Sequence, residues 1–299
     1  MAYHILSLDG GGVRGVLTAA LLARLEQAHP GFLANVDLFA GTSTGGILAL
    51  GLAAGHTPEE CCQLYEASGA KVFDDSLWDN IRDLGQLLGA QYSNKNLKQG
   101  LIEQFGEMAL GDLPKHVLIC SFDLDNEGSP RTWKPKFFHN YPGPSSDAGE
   151  KVVDVAIRTG SAPAYFPIYQ GYIDGGIAAN NPSMCAVAKA VNPTSGRQKL
   201  EDIVLLSVGT GLLPNFIPEK DADWGLAQWA PHLLGVVMDG NNGLPDYQCQ
   251  QLLGACYHRL NPILPRPIKL DNLKEVPALK VIAQDADLIE TIAWLKQNF

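Results

Sequence analysis

The chain has 299 residues, 46% apolar and 18% charged, enough to bury one large α/β core or one and a half. Its formal net charge of −10 disfavours nucleic acid and gives no general attraction to an anionic membrane, so any transient contact with a membrane surface has to be local and apolar. The six cysteines form no CxxC pair and no dense framework, which fits free thiols of a reducing compartment better than disulfides or zinc.

Tyr3–Leu8 is an apolar run of strand length that begins almost at once. It leaves no room for a signal peptide, and no apolar run approaches the roughly 20 residues of a membrane span. The expectation is a cytoplasmic protein, at most peripheral at a membrane. Asp9-Gly10-Gly11-Gly12-Val13-Arg14-Gly15 follows, then a helix over about Val16–Ala28 with Leu17, Leu21, Leu25 and Ala28 on one face. A strand, a glycine-rich turn and a helix form an anion-binding arrangement, because backbone N–H groups point out of the turn.

Two readings of that turn are open. Gly10–Gly15 matches GxGxxG, but a dinucleotide site wants an acidic residue about 20 positions on, closing a strand. Asp37 is about 25 on and instead precedes a second glycine-rich turn. The other reading is an oxyanion hole, in which the N–H groups of Gly10, Gly11 and Gly12 act with that of Thr44. Arg14 either supports negative charge at this turn or makes a surface salt bridge.

The second turn lies in Val36–Ala49. The short strand Val36–Ala40 runs into Gly41-Thr42-Ser43-Thr44-Gly45-Gly46 and then into an apolar helix. Strand, GxSxG and helix is the context of a nucleophile elbow. The turn is tight enough that side chains next to the nucleophile would strike the backbone, which Gly41 and Gly45 avoid. Ser43 would then stand at a helix N-terminus, where free N–H groups favour developing negative charge. The plain alternative is a loop joining a strand to a helix.

Thr57-Pro58-Glu59-Glu60 predicts a helix start with a capping box. The looser stretch Phe73–Asn96 reads as a lid over the site or as a surface excursion. Val117–Phe122 is a buried strand leading into Asp123–Gly128, which imitates half an EF-hand loop. Position 12 would be Lys134, so a solvated acidic turn is expected rather than calcium. Phe137–His139 is a further short strand, Lys151–Ala162 a helix and Ile168–Ile173 a strand. Asp174-Gly175-Gly176 comes next, where Asp174 taken alone reads as an Asx-turn. Asn181 and Pro182 begin another helix. Ile203–Val208 is a buried strand. The rest is mainly helical: Trp224–Val237, Tyr247–Gly254, a strand at Tyr257–Leu260, then Pro277–Ile282 and Asp285–Gln297. In the first of these, Leu226, Trp229, Leu233 and Val237 form an apolar stripe with Pro231 expected to bend or break it. Such a stripe reads first as core packing and second as an apolar rim touching lipid.

Strands alternating with helices over residues 3–210 predict an α/β fold of three layers, with a mostly parallel central sheet covered on both faces. The expected organisation is a single domain over 1–299, with a core over about 3–211 and a helical C-terminal part over about 212–299 packed on it.

DGGGVRG at Asp9–Gly15, GTSTGG at Gly41–Gly46 and DGG at Asp174–Gly176 stand in this order, each at a strand end. With IRTGSAPAYFP at Ile157–Pro167, DGGIAANNP at Asp174–Pro182 and LLSVGTG at Leu205–Gly211, the chain resembles the patatin-like phospholipases over at least residues 3–211. The resemblance implies a Ser43–Asp174 dyad acting on fatty acyl esters, phospholipid or a similar lipid, through an acyl-enzyme. Gly10, Gly11 and Gly12 would form the oxyanion hole, with no metal or cofactor. A Ser-Asp-His triad would need a histidine after Asp174, and only His232 and His258 qualify. Neither lies in a loop after a long buried strand. The rivals are a transacylase on the same dyad, a GxGxxG nucleotide-binding protein and a catalytically silent scaffold, the last disfavoured because both dyad residues are present.

Overall fold

The computed structural model describes residues 2–64, 92–217 and 223–299. Among these, the sheet has seven strands: β1 (Tyr3–Leu8), β2 (Leu38–Thr42), β3 (His116–Asp123), β4 (Lys134–His139), β5 (Tyr172–Asp174), β6 (Ile203–Val208) and β7 (Tyr257–Leu260). The order is β4-β3-β2-β1-β6-β7, with β5 also paired to β3. β3, β2, β1, β6 and β7 are parallel, and β4 and β5 run antiparallel to β3.

Side chains alternate across a strand, and here both sets are apolar. Leu6 and Leu8 of β1, Phe39 of β2 and Leu206 and Val208 of β6 enter one core. Tyr3, Ile5, Leu38, Ala40, Ile203 and Leu205, from the same strands, enter the other. The first core is covered by α1 (Gly15–Ala28), α2 (Thr44–Ala53), α3 (Asn94–Phe105), α4 (Val152–Gly160), α8 (Val276–Asp285) and α9 (Ile289–Asn298). The second is covered by α5 (Gly176–Ala179), α6 (Ser183–Val191) and the C-terminal end of α7 (Leu226–Leu253). The result is the three-layer arrangement that the alternation of elements predicts. The C-terminal part also supplies β7 to the sheet.

The predicted capping box is present: the Thr57 N–H donates to Glu60 at 2.8 Å and the Glu60 N–H to Thr57 Oγ1 at 3.1 Å. The N-cap of α6 is Pro182 rather than Asn181, which stands one residue earlier and accepts from the Ser183 N–H at 3.0 Å. The acidic turn after β3 closes on itself. Asp123 accepts from the Asp125 N–H and Asp125 from the Glu127 N–H, and Asp125 is paired with Arg131. Most of the proposed lid falls in residues 65–91, outside the described residues.

Three expectations change. The strand predicted over Ile168–Ile173 is only Tyr172–Asp174, because Tyr169 and Tyr172 bridge across a tight turn at Gln170 and Gly171. The two helices predicted over Trp224–Val237 and Tyr247–Gly254 are one, running through Pro231 and the poor helix formers between them. Tertiary bonds hold that middle: Asn241 Nδ2 donates to the Ile177 carbonyl at 3.0 Å, and Asn242 Oδ1 accepts from Asn180 Nδ2 at 2.8 Å. The stripe on α7 does not pack into the core: Leu226, Leu233 and Val237 are exposed, and Trp229 is 37% exposed.

Candidate active site

β2 ends in the elbow. Ser43 has φ 54° and ψ −126°, a conformation that L-residues rarely adopt, and α2 begins at the next residue. A side chain at Gly41 would strike the Gly45 carbonyl, and one at Gly45 the Leu8 and Asp9 carbonyls, so the crossing of backbones here admits only glycine. The Ser43 N–H is held by Thr159 Oγ1 at 2.8 Å, and Thr159 in turn donates to the Cys120 carbonyl.

The sheet register brings Asp174 to the same place. β4 occupies one edge of β3. β2 occupies the other as far as Thr42 opposite Cys120. β5 enters from the opposite direction on the edge that β2 leaves, with Asp174 opposite Ser121. Ser43 and Asp174 therefore meet end-on beside β3 and line one cleft, where the Ser43 side chain favours the charged form of the Asp174 carboxylate. Asp174 also accepts from the Gly176 N–H at 2.7 Å, so the Asx-turn predicted for it is present as well. The side chain is 5% exposed. Burial raises its pKa to about 6, against the Ser43 side chain and the Gly176 N–H, which favour the charged form.

The glycine turn after β1 faces Ser43. Gly11 and Gly12 line a cleft with Ser43 and Asp174, and no described residue accepts from their N–H groups. Thr44, the residue after Ser43, lines the neighbouring cleft. The Gly10 N–H, in contrast, is committed to the Asn180 carbonyl at 3.0 Å and is not free for a ligand. Side chains at Gly15 and Gly175 would meet Thr44 and the Cys120 carbonyl, respectively.

Arg14 makes no surface salt bridge. It is buried and donates to the Gly11 and Gly211 carbonyls, with Asp239 favouring its charge. Asp9 is fully buried and paired with Arg259 of β7, at 2.5 and 3.1 Å, and Arg259 also donates to Ser207. No sequence motif marks Arg259, because its partner lies 250 positions away. Replacing Arg259 by Leu leaves a buried carboxylate at the root of the glycine turn. We expect a loss of about 3–5 kcal/mol of stability, read from the denaturant midpoint; a loss within measurement error would show that the pair does not hold the turn.

Among the described residues no histidine lines either cleft around Ser43. His258 lies within β7 and bonds Thr291 at 2.9 Å, and His232 of α7 lies against Trp224 with the two rings tilted by 32°. Asp37 lies at the start of β2 and accepts from the His4 N–H, at the opposite end of the strands from the glycine turn. It cannot serve the dinucleotide pattern there.

Ser43 stands at the junction of two clefts. One is small and holds Asp174, Tyr165, Met238 and Asp271. The other is apolar, about 960 Å³ with its mouth, and runs between α2 and α3 past Ile47, Leu48, Leu101 and Phe105. No helix among the described residues is long and apolar enough to cross a membrane.

The family model of the patatin-like phospholipases matches residues 6–187. CotR of Bacillus subtilis is 32% identical over 99% of this chain and 98% of its own length. The cGAMP-activated phospholipase of Pseudomonas aeruginosa is 32% identical over 87% of this chain and 78% of its own. Patatin-like protein 2 of Arabidopsis thaliana is 29% identical over 87% and 74%.

Proposed function

The chain belongs to the patatin-like phospholipase family, and on that premise we propose that it is a lipid acyl hydrolase using Ser43 as nucleophile and Asp174 as base. The observation that carries this reading is a strained elbow serine meeting a buried carboxylate in one cleft, at the mouth of an apolar one. Ser43 Oγ attacks the ester carbonyl carbon while Asp174 takes its proton. The N–H groups of Gly11, Gly12 and Thr44 stabilise the oxyanion, and loss of one such donor typically costs about 10²–10³ in turnover. The C–O bond to the leaving alcohol breaks, and the alcohol takes the proton from Asp174. Water then attacks the acyl-enzyme with Asp174 again as base, the C–Oγ bond breaks, Ser43 Oγ takes the proton back from Asp174, and the fatty acid leaves. The residues that do this need no cofactor or metal.

A panel of lipid classes tests the proposal, with fatty acid release measured for the wild type beside Ser43→Ala. Release from at least one class by the wild type alone is expected. Equal release by both proteins, or none by either, would overturn it.

The exposed stripe on α7 supports the rim reading over core packing. Met238, on the same helix, lines the small cleft, so the stripe leads to the site. Since a net charge of −10 removes general electrostatic attraction, apolar contact has to supply the binding. Trp229→Ala is expected to lower turnover of vesicle substrate about tenfold relative to a soluble short-chain ester, from the lost apolar contact. A large fall in melting temperature would instead return Trp229 to the core.

A further inference from the structure

Two side chains close on the glycine turn. A Cβ at Gly10 would strike Asn180 Oδ1, and one at Gly11 would strike the Thr210 hydroxyl. Asn180 and Thr210 are both buried. They belong to DGGIAANNP and LLSVGTG, and the mechanism above gives neither side chain a role. Both donate to one acceptor: the Gly10 carbonyl is bonded by Thr210 Oγ1 at 3.0 Å and by Asn180 Nδ2 at 3.3 Å. The Asn180 amide is held in turn by Asn242 Oδ1 of α7, at 2.8 Å.

We infer that Thr210 and Asn180 are positioning residues for the oxyanion hole, holding the Gly10 carbonyl so that the Gly11 N–H faces the reacting ester. This rests on the hydrolase reading above. In a trans peptide the C=O and the following N–H point in opposite directions. Anchoring the Gly10 carbonyl therefore turns the Gly11 N–H away from Thr210 and Asn180. Gly11 lines the small cleft with Ser43 and Asp174, and no described residue accepts from its N–H. The anchors are needed because consecutive glycines have no Cβ to restrict their rotation. Neither anchor lines the two clefts around Ser43, so each acts through the turn rather than on the substrate.

The test compares wild type, Thr210→Val and Thr210→Ser on p-nitrophenyl butyrate. Valine keeps the shape of threonine without the O–H, and serine keeps the O–H without the methyl. Full loss of one oxyanion donor costs about 10²–10³ in turnover. With Asn180 still on the Gly10 carbonyl, Thr210→Val is expected to lose about tenfold in kcat at unchanged KM, because the oxyanion exists only in the transition state. Inhibition by a trifluoromethyl ketone, which forms an oxyanion on Ser43, should weaken by the same factor. Thr210→Ser is expected to recover kcat to within about threefold of wild type. A Thr210→Val kcat within about twofold of wild type would overturn the inference. So would a serine variant as slow as the valine one, which would make packing the cause, or a loss carried by KM. If Thr210→Val does not fold, Thr210→Ala takes its place against Thr210→Ser, and the same outcomes decide. A wild type that hydrolyses neither this ester nor any lipid of the panel removes the hydrolase reading, and the inference with it.

Discussion

Ser43→Ala is expected to lose at least about 10⁴-fold in ester turnover, with no covalent labelling by a fluorophosphonate. The alanine variant keeps the fold, since only a hydroxyl is removed. Ser43→Gly is expected to be equally inactive but more stable than wild type. At φ 54° and ψ −126° a Cβ is strained, and glycine relieves about 1–3 kcal/mol of that strain. Activity and melting temperature would thus move in opposite directions at one position. Persistent labelling in Ser43→Ala would remove the nucleophile assignment. A glycine variant less stable than the alanine variant would show that the elbow carries no strain for it to release.

Asp174→Asn should behave in the same sense for an electrostatic reason. The unfolded chain releases the Asp174 proton near its ordinary 3.8, whereas burial in the folded protein holds it to about 6. Between these values the folded state binds a proton that the unfolded state has lost. Stability therefore falls as pH rises through this window, and the full cost, about 3 kcal/mol, applies above pH 6. Asparagine carries no charge and its amide oxygen can still accept from the Gly176 N–H. The variant is expected to be more stable than wild type at pH 7 by up to about that amount, the gain fading as pH falls toward 4. Its turnover should drop about 10⁴-fold, as in other hydrolases that lose the triad carboxylate. In the wild type, the acidic limb of activity should lie near pH 6, where Asp174 becomes protonated and can no longer take the serine proton. Denaturant midpoints at pH 7 and pH 4 check the first part, and a pH–rate profile checks the second. Full wild-type activity well below pH 5 would sink the base assignment.

Ser43 stands at the start of α2, with the glycine turn and the Asp174 carboxylate lining its cleft, yet these parts differed in how far the sequence revealed them. The elbow was legible because it is local. Gly41, Ser43 and Gly45 answer a steric demand within a few residues, and the flanking apolar runs have strand and helix lengths. The same holds for the Thr57–Glu60 capping box, for the buried strands β1 and β6 and for the short strand β7. The placement of Asp174 was legible only through the resemblance of motifs. By itself, an aspartate before two glycines reads as an Asx-turn, and it makes one.

The long α7 shows where local rules failed. Pro231 and the stretch around Asn241 oppose a helix. Around Asn241 that cost is met by the hydrogen bond Asn241 donates to Ile177 and the one Asn242 accepts from Asn180, some 60 positions earlier in the chain. The apolar stripe on the same helix had the period of a core face, but period says only which residues share a face. Whether another element covers that face depends on where the helix docks.

The sequence by itself determined the alternation of strands and helices, the two glycine turns and the elbow that holds Ser43, because each follows from sterics and periodicity over a few consecutive residues. The tertiary structure decided the rest. The Gly10 N–H is bound to Asn180, Arg259 neutralises Asp9, and β5 enters the edge of β3 that β2 vacates. These partners are far apart in the chain and come together through sheet register and packing, which no local pattern encodes.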